Sequence, residues 1–137
     1  MTTEIEYTSD LFGVGPAHLH GFFKGWPSPP SPERHLEILQ GSFLAVIARE
    51  EGVPKVVGFV NALSDGVLSA FIPLLEVLPS HRGRGIGSEL VHRMLDELAG
   101  FYSVDLLCDP ELGPFYERFG MQRALGMGLR RPDAARG

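Results

Sequence analysis

The sequence has few of the features expected of a secreted, membrane-bound or nucleic-acid-binding protein. Its 137 residues include one cysteine, Cys108, so no disulfide can form within the chain, which suits a reducing compartment. Acidic side chains outnumber basic ones by 17 to 12, whereas nucleic-acid-binding domains are more often basic. No apolar run is long enough to span a bilayer, and the N-terminus is unlike a secretory signal. We therefore expect a cytoplasmic protein with no nucleic-acid or membrane partner.

Clusters of metal ligands are scarce as well. His18 and His20 are spaced like a pair of ligands, but no cysteine, histidine or acidic cluster accompanies them, so we expect a surface pair and no metal site. What the chain does have is an ordinary globular composition, with 44% apolar and 21% charged residues. The proline- and serine-rich stretch 25–32 is brief and indicates a turn before a helix rather than a linker. Residues 1–137 are therefore predicted to form one domain.

The apolar patterns predict a mixed α/β sheet. Strands are predicted at 42–50, 56–63, 67–78, 103–108 and 121–131, and helices at 16–24, 32–40, 84–99 and 113–119. Short turns separate the first three strands, which should form an antiparallel meander. Pro73 lies inside the third strand and cannot donate to a strand ladder, so we expect a bulge, an edge or a local splay there.

Three glycines stand where the 84–99 helix begins, in the stretch SHRGRGIGSEL. Glycine costs stability in a helix, so these residues need another reason to be there. A glycine-rich turn leaves several backbone N–H groups open at the positive end of the helix dipole, and such a site binds phosphate. Arg82 and Arg84 add positive charge. The loop lacks the Gly-Lys-Ser/Thr of a Walker A motif, and Ser88 stands where the Rossmann fingerprint needs its third glycine.

A third phosphate-binding pattern fits. The stretch LEVLPSHRGRGIGSEL resembles the acyl-CoA-binding motif of the GCN5-related N-acetyltransferase (GNAT) family, R/Q-x-x-G-x-G/A, with Arg82, Gly85 and Gly87 at its named positions. A later stretch, DPELGPFYERFGM, resembles a second motif of that family. The resemblance covers residues 42–131 in order. It implies a GNAT-like fold, which is a twisted, mostly antiparallel sheet with helices on both faces.

The resemblance also implies that acetyl-CoA is the cosubstrate. The strand before the glycine loop should splay from the next strand and bind the pantetheine arm, and the loop should hold the pyrophosphate. The implied contacts are Leu75, Glu76, Val77, Arg82, Gly83, Arg84, Gly85, Ile86, Gly87, Ser88, Asp109, Phe115 and Tyr116. Asp109 departs from the family pattern, because many relatives have asparagine there. It could contact CoA or serve the acceptor instead.

The family's chemistry is direct attack of a neutral amine on the thioester, which needs a base for the ammonium and an acid for the thiolate. Tyr116 matches a tyrosine near the CoA sulfur and is the candidate acid; the alternative is a tyrosine that packs under the last strand. Glu76 is the candidate base, because apolar neighbours on its strand face should desolvate its carboxylate and raise its pKa. It could instead point into a wet cleft and only bind the acceptor's charge. Asp105, Asp109 and a water relay remain alternative bases.

Several other residues have two interpretations. Cys108 is expected to be a small core residue rather than a nucleophile. His81, beside the loop, is expected to be solvated rather than bound to phosphate. Three aromatic side chains either pack on the sheet or wall the acceptor pocket: Phe22, Phe23 and Trp26. Four acidic residues would favour a cationic acceptor: Asp65, Glu76, Asp105 and Asp109.

Together, these features predict an N-acetyltransferase that moves an acetyl group from acetyl-CoA to a primary amine on a small molecule or peptide. Two alternatives remain open. One is a non-catalytic CoA-binding module of the same fold, and the other is an interaction protein with a vestigial loop. The resemblance also allows a homodimer, because dimers are common in the family.

Overall fold

The secondary structure is known for residues 4–136, which a computed structural model of the protein describes. The strands are β1 (Ile5–Thr8), β2 (Leu44–Glu50), β3 (Val56–Ser64), β4 (Ser69–Val77) and β5 (Ser103–Asp105). The α-helices are α1 (Pro32–Gly41), α2 (Ile86–Glu97) and α3 (Gly113–Glu117). Single 3-10 turns occur at Pro16–His18, Pro79–His81, Pro110–Leu112 and Pro132–Ala135. No helix within residues 4–136 combines the length and apolarity needed to cross a membrane.

The sheet follows chain order, β1-β2-β3-β4-β5. The first four strands are antiparallel, and β5 joins β4 in parallel over three residue pairs. The predicted meander and the mostly antiparallel, mixed sheet are therefore confirmed. β1 was not predicted from the sequence. Its four residues do alternate, and Ile5 and Tyr7 pack against the core, but the alternation is short and lies in a polar, acidic stretch.

Helices cover both faces of the sheet, as expected. α2 packs so closely on β3 that a Cβ added at Gly58 would lie 3.2 Å from Leu90 and 3.3 Å from Ile86. Phe59 follows Gly58 and therefore points to the opposite face. There its ring meets His35 of α1 at 4.4 Å and Phe22 at 5.2 Å between centroids. The core thus lies on both sides of β3, the central strand.

A bulge interrupts β4 at the predicted proline. Asn61 pairs with Leu74, and the next pair in the register joins Leu63 with Phe71. One residue of β3 therefore faces two of β4, Ile72 and Pro73, which is the two-against-one arrangement of a bulge. Because a bulge bends its strand, it changes the direction of β4 immediately before the residues expected to bind CoA.

Two predicted elements are wrong, and several others are shorter than expected, including β2, β4 and α2, which lose two to four residues each. Residues 121–131 form no strand: Leu125 and Met127 are 94% and 92% exposed, and the glycines that follow each of them offer no side chain to bury. The stretch 16–24 holds one 3-10 turn instead of a helix, because Gly21 adopts a φ of +95°, which ends helical backbone. β5 ends at Asp105 rather than at 108, and α3 ends at Glu117 rather than at 119.

Candidate active site

The parallel contact between β4 and β5 is short, so the two strands separate. Pairing ends at Phe71 and Asp105. Beyond them, from Ile72 to Val77, β4 keeps β3 on one edge and has no paired strand on the other within the described residues. The splay predicted for this strand is therefore confirmed. Its free edge presents backbone N–H and C=O groups, which an extended ligand can pair with.

Two clefts open beside this free edge. The first, here named the loop cleft, has a volume of about 620 Å³ and lies between Leu75–Val77, the glycine loop and Phe115. The second, named the strand cleft, has a volume of about 470 Å³ and lies between β4 and residues 106–109. Four residues line both clefts: Leu75, Glu76, Leu112 and Tyr116. The clefts therefore meet at the two candidate catalytic residues.

Backbone amides dominate the loop end of the loop cleft. Gly83 and Gly85 have φ values of +76° and +78°, a region that favours glycine, and Gly85 precedes α2 without any side-chain cap. The first-turn N–H groups of a helix have no partner within the helix, so they remain available to an anion. Gly87 has no positive φ, and a Cβ there would lie 3.8 Å from Val77, an ordinary contact. The fold itself does not require glycine at 87.

Arginines surround these amides, and one of them was missed by the sequence analysis. Arg82 lines the loop cleft and donates from Nε to the Val77 carbonyl at 3.0 Å. Arg84 belongs to the loop but is not one of the residues that line the cleft. The missed residue is Arg118, whose Nη2 donates to Ser88 Oγ at 3.2 Å. Its position directly after α3, two residues beyond Tyr116, was the only signal available in the sequence.

His81 lines the loop cleft but is not the solvated residue that was expected. Its Nε2 lies 2.9 Å from Glu50 Oε1, and its Nδ1 lies 2.7 Å from Ser80 Oγ. The side chain is only 16% exposed. The neighbouring carboxylate of β2, which is remote in sequence, explains why the expectation failed.

Glu76 is half-buried where the two clefts meet. Both of its carboxylate oxygens accept the Phe23 N–H at 3.1 Å. Burial raises the pKa of Glu76, against the smaller lowering effects of the Phe23 hydrogen bond and the charge of Arg82. Phe23 has a φ of +64°, which is unusual for a residue with a side chain, and its ring contacts His35 and Trp26. The apolar surroundings thus raise the pKa of this carboxyl in the direction that was predicted.

Tyr116 reaches the same junction from α3. Burial raises the pKa of its phenol, and the nearby Cys108 thiol adds to the increase. The phenol therefore keeps its proton at neutral pH. Cys108 is exposed and lines the strand cleft, so the expectation that it is a core residue is wrong. β5 ends three residues before it, and the chain has already left the sheet there.

The structure brings together only part of the predicted acidic cluster. Asp109 lines the strand cleft with Glu76, and does not line the loop cleft. Asp105 ends β5 and lines neither cleft. Asp65 lies in the turn between β3 and β4, where three backbone N–H donors lower the pKa of its carboxyl. Its role is to fix that turn.

The aromatic side chains of 21–27 divide between the two interpretations. Phe22 and Phe23 are buried around His35, as expected of core residues. Trp26 is 43% exposed and lines the strand cleft. Arg130, which the sequence analysis did not select, lines the same cleft. Across residues 4–136, no group of three or more His, Cys, Asp or Glu is arranged to hold a metal ion.

A family model described as "Acetyltransferase (GNAT) family" matches residues 13–121. The chain belongs to the GNAT acetyltransferase family. The chain is similar to the uncharacterized N-acetyltransferase ycf52 of Pyropia yezoensis, with 25% identity over 116 residues that cover 82% of this chain. The chain spans 63% of the length of that relative.

Solved structures share the GNAT fold. A crystal structure of a candidate acetyltransferase from Deinococcus radiodurans R1 has a TM-score of 0.92 and 53% identity, covering 97% of this chain and 92% of that one. Aminoglycoside N-acetyltransferase AAC(6')-Iy in complex with CoA has a TM-score of 0.62 and 18% identity, covering 96% of each chain. At that identity the second structure supports the fold alone.

Proposed function

We propose that the protein is an N-acetyltransferase that moves an acetyl group from acetyl-CoA to a primary amine. The observation that carries this proposal is the meeting of two clefts at Glu76 and Tyr116. One cleft offers anion-binding amides and a free strand edge, and the other offers space for an acceptor. The meeting point is where an acyl group and an amine would be brought together.

The loop cleft fits the carrier half of acetyl-CoA. The pyrophosphate would be held by the amides that open α2, from Gly83 to Ser88, with Arg82 and Arg118 adding charge. Glycine at 87 supports this assignment. Neither its backbone angle nor its protein neighbours require glycine, whereas close approach of a phosphate oxygen does. The free edge of β4 at Leu75–Val77 would pair with the amide groups of the pantetheine arm.

The strand cleft would admit the amine. Glu76 takes a proton from the ammonium, directly or through a water, because its raised pKa makes it a better base than an ordinary carboxylate. The free amine attacks the thioester carbonyl, and the negative charge that develops on oxygen would be stabilised by an N–H of the free β4 edge. The attacking nitrogen now carries one proton more than the product amide. The carbon–sulfur bond then breaks, the Tyr116 phenol donates its proton to the departing thiolate, and the extra proton on nitrogen passes to the Tyr116 phenolate and restores the phenol. The products are an N-acetylated amine and CoA.

The proposal is tested by measuring thiol release from acetyl-CoA with a panel of primary amines. Glu76→Gln and Tyr116→Phe should each lower kcat by about 10²–10⁴, the range for loss of one acid or base. Matched controls are Glu97→Gln, on the exposed face of α2, and Tyr102→Phe, which is 85% exposed, and both should match the parent.

A second measurement separates the enzyme from a non-catalytic module. Acetyl-CoA at 100 times its Kd should stabilise the fold by about 2.7 kcal/mol in thermal or denaturant unfolding. Stabilisation without turnover of any amine would indicate a CoA-binding module. If acetyl-CoA neither stabilises the fold nor acetylates any amine, an interaction protein with a vestigial loop is favoured.

A further inference from the structure

We propose that the amine acceptor carries a carboxylate, which Arg130 binds in the strand cleft. The inference rests on the proposed function and names the acceptor class. Of the described residues that line the strand cleft, Arg130 alone is cationic. It does not line the loop cleft, so it lies beyond the junction where the acetyl group would be transferred. An acceptor that extends from Glu76 to Arg130 would place its amine at Glu76 and an anionic group at Arg130.

Within the described part of the chain, no other side chain binds the guanidinium of Arg130. Among residues 4–136 it takes part in no hydrogen bond or ion pair. Arg123 binds the Glu117 carboxylate at 3.4 Å, and Arg136 binds Asp133 at 3.1 Å. The side chain of Arg131 is also without such a partner among residues 4–136, but unlike Arg130 it does not line the strand cleft. An unpaired guanidinium in a cleft wall is well suited to a carboxylate, because its planar fork matches the two oxygens.

The backbone around Arg130 limits where the guanidinium can lie. A Cβ added at Gly128 would lie 2.6 Å from Arg130 Nη1, so the side chain packs against the bare glycine backbone. Gly128 has no positive φ, and a Cβ at this position would make the end of the Arg130 side chain shift. The segment is fixed further along, where Asp133 accepts from Ser28 Oγ at 3.3 Å.

The rest of the strand cleft favours a carboxylate over a phosphate. Glu76 and Asp109 share the cleft with Arg130, and their charges would repel the second negative charge of a phosphate. Trp26, Leu107 and Leu112 line the same cleft and are each 43–45% exposed. We infer an acceptor with both an amine and a carboxylate, as in an amino acid or a short peptide, and side chains such as Trp26 offer contacts to an apolar part of it.

The test uses matched acceptors with and without a carboxylate: phenylalanine with phenethylamine, and Gly-Phe with Gly-Phe amide. Phosphoethanolamine represents the phosphate class. We expect kcat/KM to be at least tenfold higher for the carboxylate member of at least one pair. Arg130→Gln should bring that ratio close to one. Gly128→Ala, which keeps the charge but displaces the guanidinium, should reduce the ratio partly.

Arg131→Gln is the matched control, because Arg131 is exposed and does not line the cleft. It should keep the parent ratio. A parent enzyme that prefers the carboxylate-free amines or phosphoethanolamine overturns the proposal, and so does an Arg130→Gln variant that keeps the parent ratio. If no amine is acetylated, the proposed function fails by itself. Calorimetric titration of the same pairs into the CoA-bound protein then decides the Arg130 proposal, which requires tighter binding of the carboxylate member and loss of that difference in Arg130→Gln.

Discussion

Replacing Gly87 by alanine should separate the stability of the fold from its affinity for CoA. Gly87 lies in the first turn of α2, and its added Cβ would lie 3.8 Å from Val77, so the folded protein can accept the methyl group without strain. Alanine in place of glycine stabilises a helix interior by about 0.5–1 kcal/mol. Because the position is close to the helix end, we take the lower value, about 0.5 kcal/mol. The melting temperature of the free protein should therefore rise by about 2 °C.

The same methyl group should weaken CoA binding. In the proposed complex a phosphate oxygen approaches the backbone at Gly87, where a Cβ takes up the space. Losing one hydrogen bond to a charged group costs about 1.5–3 kcal/mol. The Kd for CoA should therefore rise by about ten- to a hundredfold. This pairing of higher stability with lower affinity is not expected of a residue whose role is structural.

Both quantities can be measured on one preparation, by denaturant unfolding of the free protein and calorimetric titration with CoA. Gly41→Ala is the control, because Gly41 ends α1, has open space around its Cβ position and lines neither cleft. It should leave CoA affinity unchanged. The reasoning is refuted if Gly87→Ala binds CoA as tightly as the parent, or if it destabilises the free protein by more than about 1 kcal/mol.

Three further outcomes follow from the site and its surroundings. Burial lowers the pKa of His35 from its ordinary 6.5 to about 4, so the unfolded chain alone takes up the proton as pH falls through this range. In denaturant titrations, the free energy of unfolding should fall by about 3 kcal/mol between pH 7 and pH 4. The His35→Leu variant should lose most of this pH dependence, whereas a variant of the exposed His92 should keep it. Because burial raises the pKa of Glu76, kcat/KM should increase with pH through a midpoint above 4.5, and Glu76→Gln should abolish that limb. Arg118→Gln should raise the Kd for CoA several-fold in titrations at low salt, with a smaller effect in Arg118→Lys; equal affinity in all three proteins would remove Arg118 from the phosphate site.

Much of the candidate site could be predicted because its signals are local. The glycine loop, the amphipathic α2 and the proline in β4 each follow from residues within a few positions of one another. Backbone angles and helix capping depend on such neighbours. The splay between β4 and β5 was also expected, although its extent, from Ile72 to Val77, required the strand register.

Other features could not be predicted, because they depend on partners far apart in the chain. Asp65 was grouped with Glu76 by charge alone, yet it fixes a turn. Cys108 was expected in the core because its apolar neighbours predict a strand, but β5 ends at Asp105. Residues 121–131 were predicted to form a strand interrupted by glycines, but no strand forms there, and Leu125 and Met127 stay exposed. Whether such a segment pairs depends on its packing against other elements, which its own residues do not determine.

The sequence by itself determined that a helix would begin at an uncapped glycine loop with the spacing of a CoA-binding motif, because those properties are set by adjacent residues. Only the tertiary structure decided what surrounds the reacting groups. The Phe23 amide that holds Glu76 comes from 53 positions away, Trp26 and Arg130 line the strand cleft from distant parts of the chain, and Arg118 contacts Ser88 of the loop cleft from its position after α3. Desolvation and charge act through space, so the residues that tune a carboxylate or bind an acceptor are set by packing rather than by chain order.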